Sequence, residues 1–168
     1  MNAHADRTLI LLRHGKSAYP TDVADHDRPL APRGERQAAL AGAWIGQHLP
    51  PVDLILCSTA ERTRQTLERT GIVAPTSYLE VIYGAEPDEL LAALRDLDDR
   101  PRTVLVVGHA PGLPYLAMDL AGSGSDLAAV DRLRTGFPTS AVAVLSITGT
   151  WSGVEHGRGA LLDLVVPR

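Results

Sequence analysis

The sequence predicts an α/β fold: a single-domain, three-layer α/β/α sandwich around a mostly parallel central sheet with an antiparallel strand. Three observations predict it. Short, almost wholly apolar runs at residues 8–12, 53–57 and 103–107 read as strands buried on both faces. Stretches of helical spacing lie between them, and strands alternating with helices build parallel sheets. Two later β-rich runs, 140–147 and 160–166, follow one another without a helix between them, so one of them is expected to run antiparallel.

The chain has 168 residues, the size of one domain, and no linker, repeat or low-complexity segment divides it, so residues 1–168 are expected to form one unit. Hydrophobic residues make up 45% and aromatics only 4%, which demands an aliphatic core. The formal charge of −4 carries no long run of either sign, which argues against a nucleic-acid partner. The single cysteine, Cys57, cannot form an internal disulfide and ends an apolar run, so a buried structural thiol is expected. No stretch has the roughly 18–20 apolar residues of a membrane span. The first seven residues, with His4, Asp6 and Arg7, lack the apolar region of a signal peptide. These features predict a soluble cytoplasmic protein without a membrane partner.

Taken in order, the first strand ends abruptly in Arg13-His14-Gly15, where Gly15 permits a sharp turn. Residues 18–33 are polar and rich in Pro and Asp, a loop long enough to form a rim or lid. A helix starts near Pro32-Arg33-Gly34-Glu35, carries Ala38, Ala41, Ile45 and Leu49 on one face with Trp44 beside them, and stops at Pro50-Pro51. After the second strand, Ser58-Thr59-Ala60-Glu61 has the spacing of a capping box. It predicts a helix over 59–70 with Ser58 as N-cap and Gly71 as its stop. A short strand is expected around 77–79. Glu86-Pro87 opens a third helix with Leu90, Ala93, Leu94 and Leu97 inward. The third buried strand ends in Gly108-His109-Ala110-Pro111-Gly112, and a helix continues to about Leu120. Residues 122–125 read as a flexible loop.

Parallel strands deliver their chemistry at their carboxyl ends, where the following loops begin. Here those ends carry Arg13 and His14, then Arg62 one helical turn after the second strand, then His109. Residues far apart in sequence are therefore expected to converge on one rim. Two arginines suit bidentate contacts to an anion, most naturally a phosphoryl group. They would repel a metal cation, and the His, Cys and carboxylate residues lack zinc-ligand spacing. A P-loop and a dinucleotide fingerprint are absent. No metal or other cofactor is expected. His4, His26, His48 and His156 fall in expected loops or helix ends and read as surface residues.

Three segments together resemble the histidine phosphatase superfamily, the phosphoglycerate mutase-like proteins. They are residues 9–17, the run Ser-Thr-Ala-Glu-Arg-Thr-Arg-Gln-Thr at 58–66, and Val-Val-Gly-His-Ala-Pro-Gly-Leu at 106–113. Asp27-Arg28-Pro29-Leu30, residues 83–91 and Pro138-Thr139-Ser140-Ala141 are most similar to its SixA-type branch, the phosphohistidine phosphatases. The resemblance implies that His14 is a nucleophile that takes the phosphoryl group, and that Arg13, Arg62 and His109 hold the phosphate oxygens. For that chemistry His14 must be neutral at its attacking nitrogen, with the other ring nitrogen donating to a backbone carbonyl. His109 would serve best protonated, which an incoming phosphate favours. The branch implies phosphohistidine on a signalling protein as substrate. A small phosphorylated metabolite and a non-catalytic phosphate-binding or interaction module are the alternatives.

The sequence departs from the family pattern at several places. Larger members carry a glutamate acid near an insert for which this chain has no room. Glu80 is the nearest candidate for a general acid, with a solvated carboxylate as the alternative, and Asp25 and Asp27 are weaker candidates. Lys16 and Pro20 replace residues that line the pocket in other members. Ser17 suits either a phosphate contact or a local turn bond.

Overall fold

The computed structural model describes residues 6–168, so His4 lies outside the described residues. Six strands, β1 (Arg7–Arg13), β2 (Leu54–Ser58), β3 (Thr76–Leu79), β4 (Thr103–Gly108), β5 (Val142–Ile147) and β6 (Gly159–Val165), form one sheet in the order β3-β2-β4-β1-β5-β6. β1 to β4 pair in parallel. β5 runs antiparallel to both of its neighbours, β1 and β6, as the missing crossover helix requires.

Helices cover both faces. α1 (Pro32–His48) and α2 (Glu61–Thr70) lie on one side, while α3 (Pro87–Arg95), α4 (Gly112–Leu120) and α5 (Leu127–Thr135) lie on the other. β1 shows why its sequence is apolar without alternation. Leu9 and Leu11 pack into the layer under α3, α4 and α5, Ile10 and Leu12 into the layer under α1 and α2, and all four are fully buried. Each such side chain is worth about 1.5–3 kcal/mol of burial. Cys57 sits in the second layer, fully buried, and burial pushes its thiol up to about 12. That is the inert structural thiol expected from the sequence.

Two local expectations fail for identifiable reasons. α2 begins at Glu61, with Ala60 as an N-cap lacking a side-chain bond. Ser58 is the last residue of β2 and its hydroxyl turns into the site, so no capping box forms. The capping box occurs one helix later, where Glu86 and Glu89 reciprocate at the start of α3. Helix α5 lies in a stretch that the sequence pattern does not mark as helical. Its sequence, LAAVDRLRT, buries only Ala129 and Leu133, a stripe too narrow to stand out. Asp126 caps it by accepting from the Ala129 N–H at 2.8 Å.

Crossovers diverge above the β1–β4 pair. β1 leads through α1 toward β2 and β3, whereas β4 leads through α4 and α5 to β5 on the other side of β1. In open α/β sheets that divergence opens a crevice at the strand ends. Gly15 is needed there for space: a Cβ on it would lie 2.5 Å from the Gly34 carbonyl oxygen. The turn after β1 thus packs directly against the first turn of α1.

Candidate active site

Register places the functional side chains. Arg13 pairs with Gly108 across the β1–β4 ladder, and the His14 N–H donates to the Gly108 carbonyl at 3.0 Å. His14 and His109 therefore meet, with ring centroids 5.2 Å apart. Arg62 comes from the first turn of α2, beyond the end of β2. With Arg13 these residues line one cleft of about 490 Å³. The convergence of His14, Arg13, Arg62 and His109 expected from strand polarity is present.

Each group is held. The His14 Nδ1–H donates to the Gly15 carbonyl at 2.7 Å, which leaves Nε2 as the unprotonated nitrogen of the neutral ring. The next backbone N–H, of Gly15, donates to Thr66 Oγ1 at 2.9 Å, tying the turn to α2. Arg13 Nη1 donates to the Phe137 carbonyl at 2.7 Å. Arg62 is only 6% exposed; its Nη1 donates to the Asp25 carbonyl at 2.7 Å and its Nη2 to Asp25 Oδ2 at 3.1 Å. The Nε atoms of Arg13 and Arg62 are buried without a partner. His109 Nε2 lies 2.8 Å from Ser58 Oγ.

The 18–31 loop contributes Tyr19, Asp25 and Arg28 to the cleft. Asp25 opens a short 3-10 turn (Asp25–Asp27) and joins three side chains. Besides Arg62, it accepts from the Tyr83 hydroxyl at 2.6 Å and from Arg28 Nε at 3.1 Å, and Arg28 Nη2 lies 3.0 Å from Oδ1. Arg28 in turn donates to Ser17 Oγ at 2.8 Å and stacks on Tyr19, 4.1 Å from its ring centroid. Ser17 is buried and accepts from Arg28 eleven residues on, not from its own turn, and it also lines the cleft. Asp25 carried little weight in the sequence, and Arg28 and Tyr83 entered only within motif segments. No local periodicity marks Asp25 and Tyr83, because Asp25 meets Arg62 and Tyr83 from 37 and 58 residues away.

Glu80 is not part of the cleft wall, which corrects the expectation of an acid there. It lies in a short 3-10 turn after β3, its side chain is 73% exposed, and it accepts from the Thr59 hydroxyl. His26, bonded to Thr59 Oγ1 at 2.8 Å, flanks it. Nearness in sequence to Tyr83 does not bring Glu80 into the cleft: Glu80 opens the 3-10 turn with its side chain in solvent, and Tyr83 follows the turn into the cleft lining. Glu80→Gln is accordingly expected to leave kcat/KM for both aryl and alkyl phosphates within about two-fold, in line with other surface substitutions. A selective loss on alkyl phosphates would return Glu80 to the site.

Electrostatics make the free site cationic but its histidines neutral. Burial, reinforced by Arg62, Arg13 and Arg28, lowers His14 to about 4 against the opposing bond to Gly15. Burial and the neighbouring His14 and arginines lower His109 to about 3. His109 is thus neutral in the free site, whereas the protonated form was expected to serve best. Asp25 is held far below the carboxylate range, first by the Tyr83 hydroxyl and then by the arginines, and is ionised at every working pH.

These shifts carry a stability prediction. The unfolded chain takes up protons on its histidines near 6.5 while the folded site refuses them until about 4 and 3. Stability is therefore expected to fall as pH drops from about 6.5 toward 4. The slope is at most about 1.4 kcal/mol per pH unit for each histidine. Urea midpoints at pH 7 and pH 5 measure it, and His14→Gln should shrink the difference. A wild-type midpoint that is unchanged would refute the neutral assignment.

Comparison with known proteins agrees with this geometry. Residues 9–82 match the sequence model of the histidine phosphatase superfamily (branch 1). An uncharacterised protein of Mycobacterium tuberculosis is 52% identical over 158 residues, covering 94% of this chain and all of that protein. A solved structure from Nakamurella multipartitia, provisionally assigned as the phosphohistidine phosphatase SixA, superposes with a TM-score of 0.90 at 42% identity over 99% of each chain. The phosphohistidine phosphatase SixA of Escherichia coli is 27% identical over 154 residues, 86% of this chain and 88% of that one.

Proposed function

Because the chain belongs to the histidine phosphatase superfamily and is a phosphatase of the histidine type, we propose that it hydrolyses phosphohistidine on a protein through a phosphoryl intermediate on His14. In the first step His14 Nε2 attacks phosphorus and a new P–N bond forms; the P–N bond to the substrate breaks with its electron pair on nitrogen, and that ring, already protonated on its other nitrogen, leaves as neutral imidazole. In the second, water attacks phosphorus and the bond to His14 breaks, releasing phosphate. Arg13 and Arg62 hold the equatorial oxygens, and His109 donates to one of them. Positioning and charge stabilisation are what phosphoryl transfer chiefly requires.

One observation carries the choice of substrate. Asp25 supplies the cleft's only carboxyl group among the described residues, and it is locked as an anion by Tyr83, Arg28 and Arg62. Such a site has no carboxylic acid to protonate an alkoxide leaving group. Phosphohistidine does not need one. Its leaving imidazole is a weak base, and the first step exchanges one P–N bond for another. The SixA proteins of the comparison are named for that substrate.

The test is kcat/KM on a phosphohistidine protein, an aryl phosphate and an alkyl phosphate such as a sugar phosphate. Phosphohistidine and aryl phosphate are expected to exceed the alkyl ester by at least about 10²-fold, the low side of general-acid effects. Faster turnover of an alkyl ester would favour a small phosphorylated metabolite instead. Phosphate binding without turnover of any of the three would identify a non-catalytic module. The described residues include no helix long and apolar enough to cross a membrane.

A further inference from the structure

Ser58 has no role in the mechanism above, yet it is completely buried and touches a ring that lines the cleft. Its hydroxyl is 2.8 Å from His109 Nε2, and the Ala60 N–H donates to the same oxygen at 3.3 Å. We propose that Ser58 is a positioning residue that fixes the tautomer of His109, so that the neutral ring carries its proton on Nδ1 and presents that N–H to the phosphoryl group. The proposal rests on the phosphatase reading for its consequence, but not for its structural content.

The argument is hydrogen-bond accounting. A serine hydroxyl has one proton and two acceptor sites. Ala60 already occupies one acceptor site. Were His109 to donate from Nε2, it would fill the other, and the Ser58 proton would have no acceptor among the described residues. A buried hydroxyl proton left unpaired is costly, and native interiors avoid it. If Ser58 donates to Nε2 instead, every group at this contact is satisfied. The His109 proton then resides on Nδ1, which makes no hydrogen bond to the described residues and is not among their buried unpartnered atoms. Nδ1 is the nitrogen left for the cleft.

The consequence resolves the discrepancy over His109. A phosphoryl-binding histidine was expected to be protonated, while this ring is neutral in the free site. Tautomer selection lets a neutral ring donate without taking up a proton from solvent. It mirrors His14, whose own tautomer is fixed by Gly15 so that its cleft nitrogen is bare. Two neighbouring neutral imidazoles thus present opposite functions, one an acceptor that attacks and one a donor that binds.

Nitrogen-15 NMR of the ring nitrogens in the intact protein tests this, with His109 assigned by its loss in His109→Gln. At neutral pH, wild type is expected to show a protonated, pyrrole-type Nδ1 and a bare, pyridine-type Nε2. Ser58→Ala should move the ring toward the Nε2–H form, and Ser58→Thr, which keeps the hydroxyl, should retain the wild-type pattern. Orthophosphate affinity should fall by about ten-fold in Ser58→Ala, the loss of one hydrogen bond. An Nε2–H ring in wild type overturns the proposal, and this measurement does not depend on Ser58→Ala folding. Unchanged ring signals in a folded Ser58→Ala protein overturn it too. A wild-type Nδ1–H ring without turnover of any phosphorylated substrate would instead count against the phosphatase reading.

Discussion

His14→Ala is expected to abolish turnover of an aryl phosphate, by about 10⁴-fold or more, while the fold and phosphate binding persist. No neighbouring group can take over the attack. His109 Nε2 is committed to Ser58, the Ser17 hydroxyl accepts from Arg28, and Cys57 is sealed in the core with its thiol pushed up to about 12. Binding should survive because Arg13 and Arg62 have their own anchors in Phe137 and Asp25, independent of the imidazole. His14 is only 7% exposed, so removing its ring opens a small space in the cleft lining and adds no bulk. Steady-state kinetics, orthophosphate titration and phosphorus-31 NMR of a trapped enzyme address the three parts. Wild type should yield a phosphoramidate signal that His14→Ala lacks. A folded variant retaining a tenth of wild-type kcat would mean that His14 is not the nucleophile.

Much of the frame behind this prediction was legible in the sequence because it depends on short-range signals. Double-sided burial wrote unbroken apolar runs into β1, β2 and β4, and strand polarity then brought Arg13 and His14, Arg62 and His109 together from three separated positions. Gly71 ended α2 in the left-handed conformation its residue type suggests, with φ of 70°. What the sequence hid was longer in range or ambiguous in type. Ser58 satisfies the local capping pattern, and only its tertiary neighbour His109 decides that the hydroxyl is used elsewhere. Asp25 looks like any loop aspartate until Arg62 and Tyr83 are folded onto it. Glu80 illustrates the converse error, a carboxylate near the right segment that a single 3-10 turn directs to solvent. The short α5 escaped because a two-residue buried stripe carries almost no periodic signal.

Arg62→Ala is expected to lower kcat/KM by about 10²–10³-fold, the effect of deleting a preorganised donor to a transition-state anion. A cation in the first turn of a helix opposes the helix dipole, so its placement at the start of α2 is unfavourable unless an anion lies beside it. In the free protein the Asp25 carboxylate is that anion. In the complex the phosphoryl group would share the guanidinium, whose fork geometry suits two oxygens at once. The same bonds create an ambiguity, because Arg62 also anchors the 18–31 loop through Asp25, and its loss could act through a displaced loop. Two further variants separate the routes. Arg62→Lys keeps the charge but not the fork, and is expected to recover orthophosphate binding more than kcat. Asp25→Asn weakens the loop anchor but leaves Arg62 in place, and is expected to cost less than about ten-fold. If Asp25→Asn reproduced the full loss of Arg62→Ala, the arginine would act through the loop and not on the phosphoryl group.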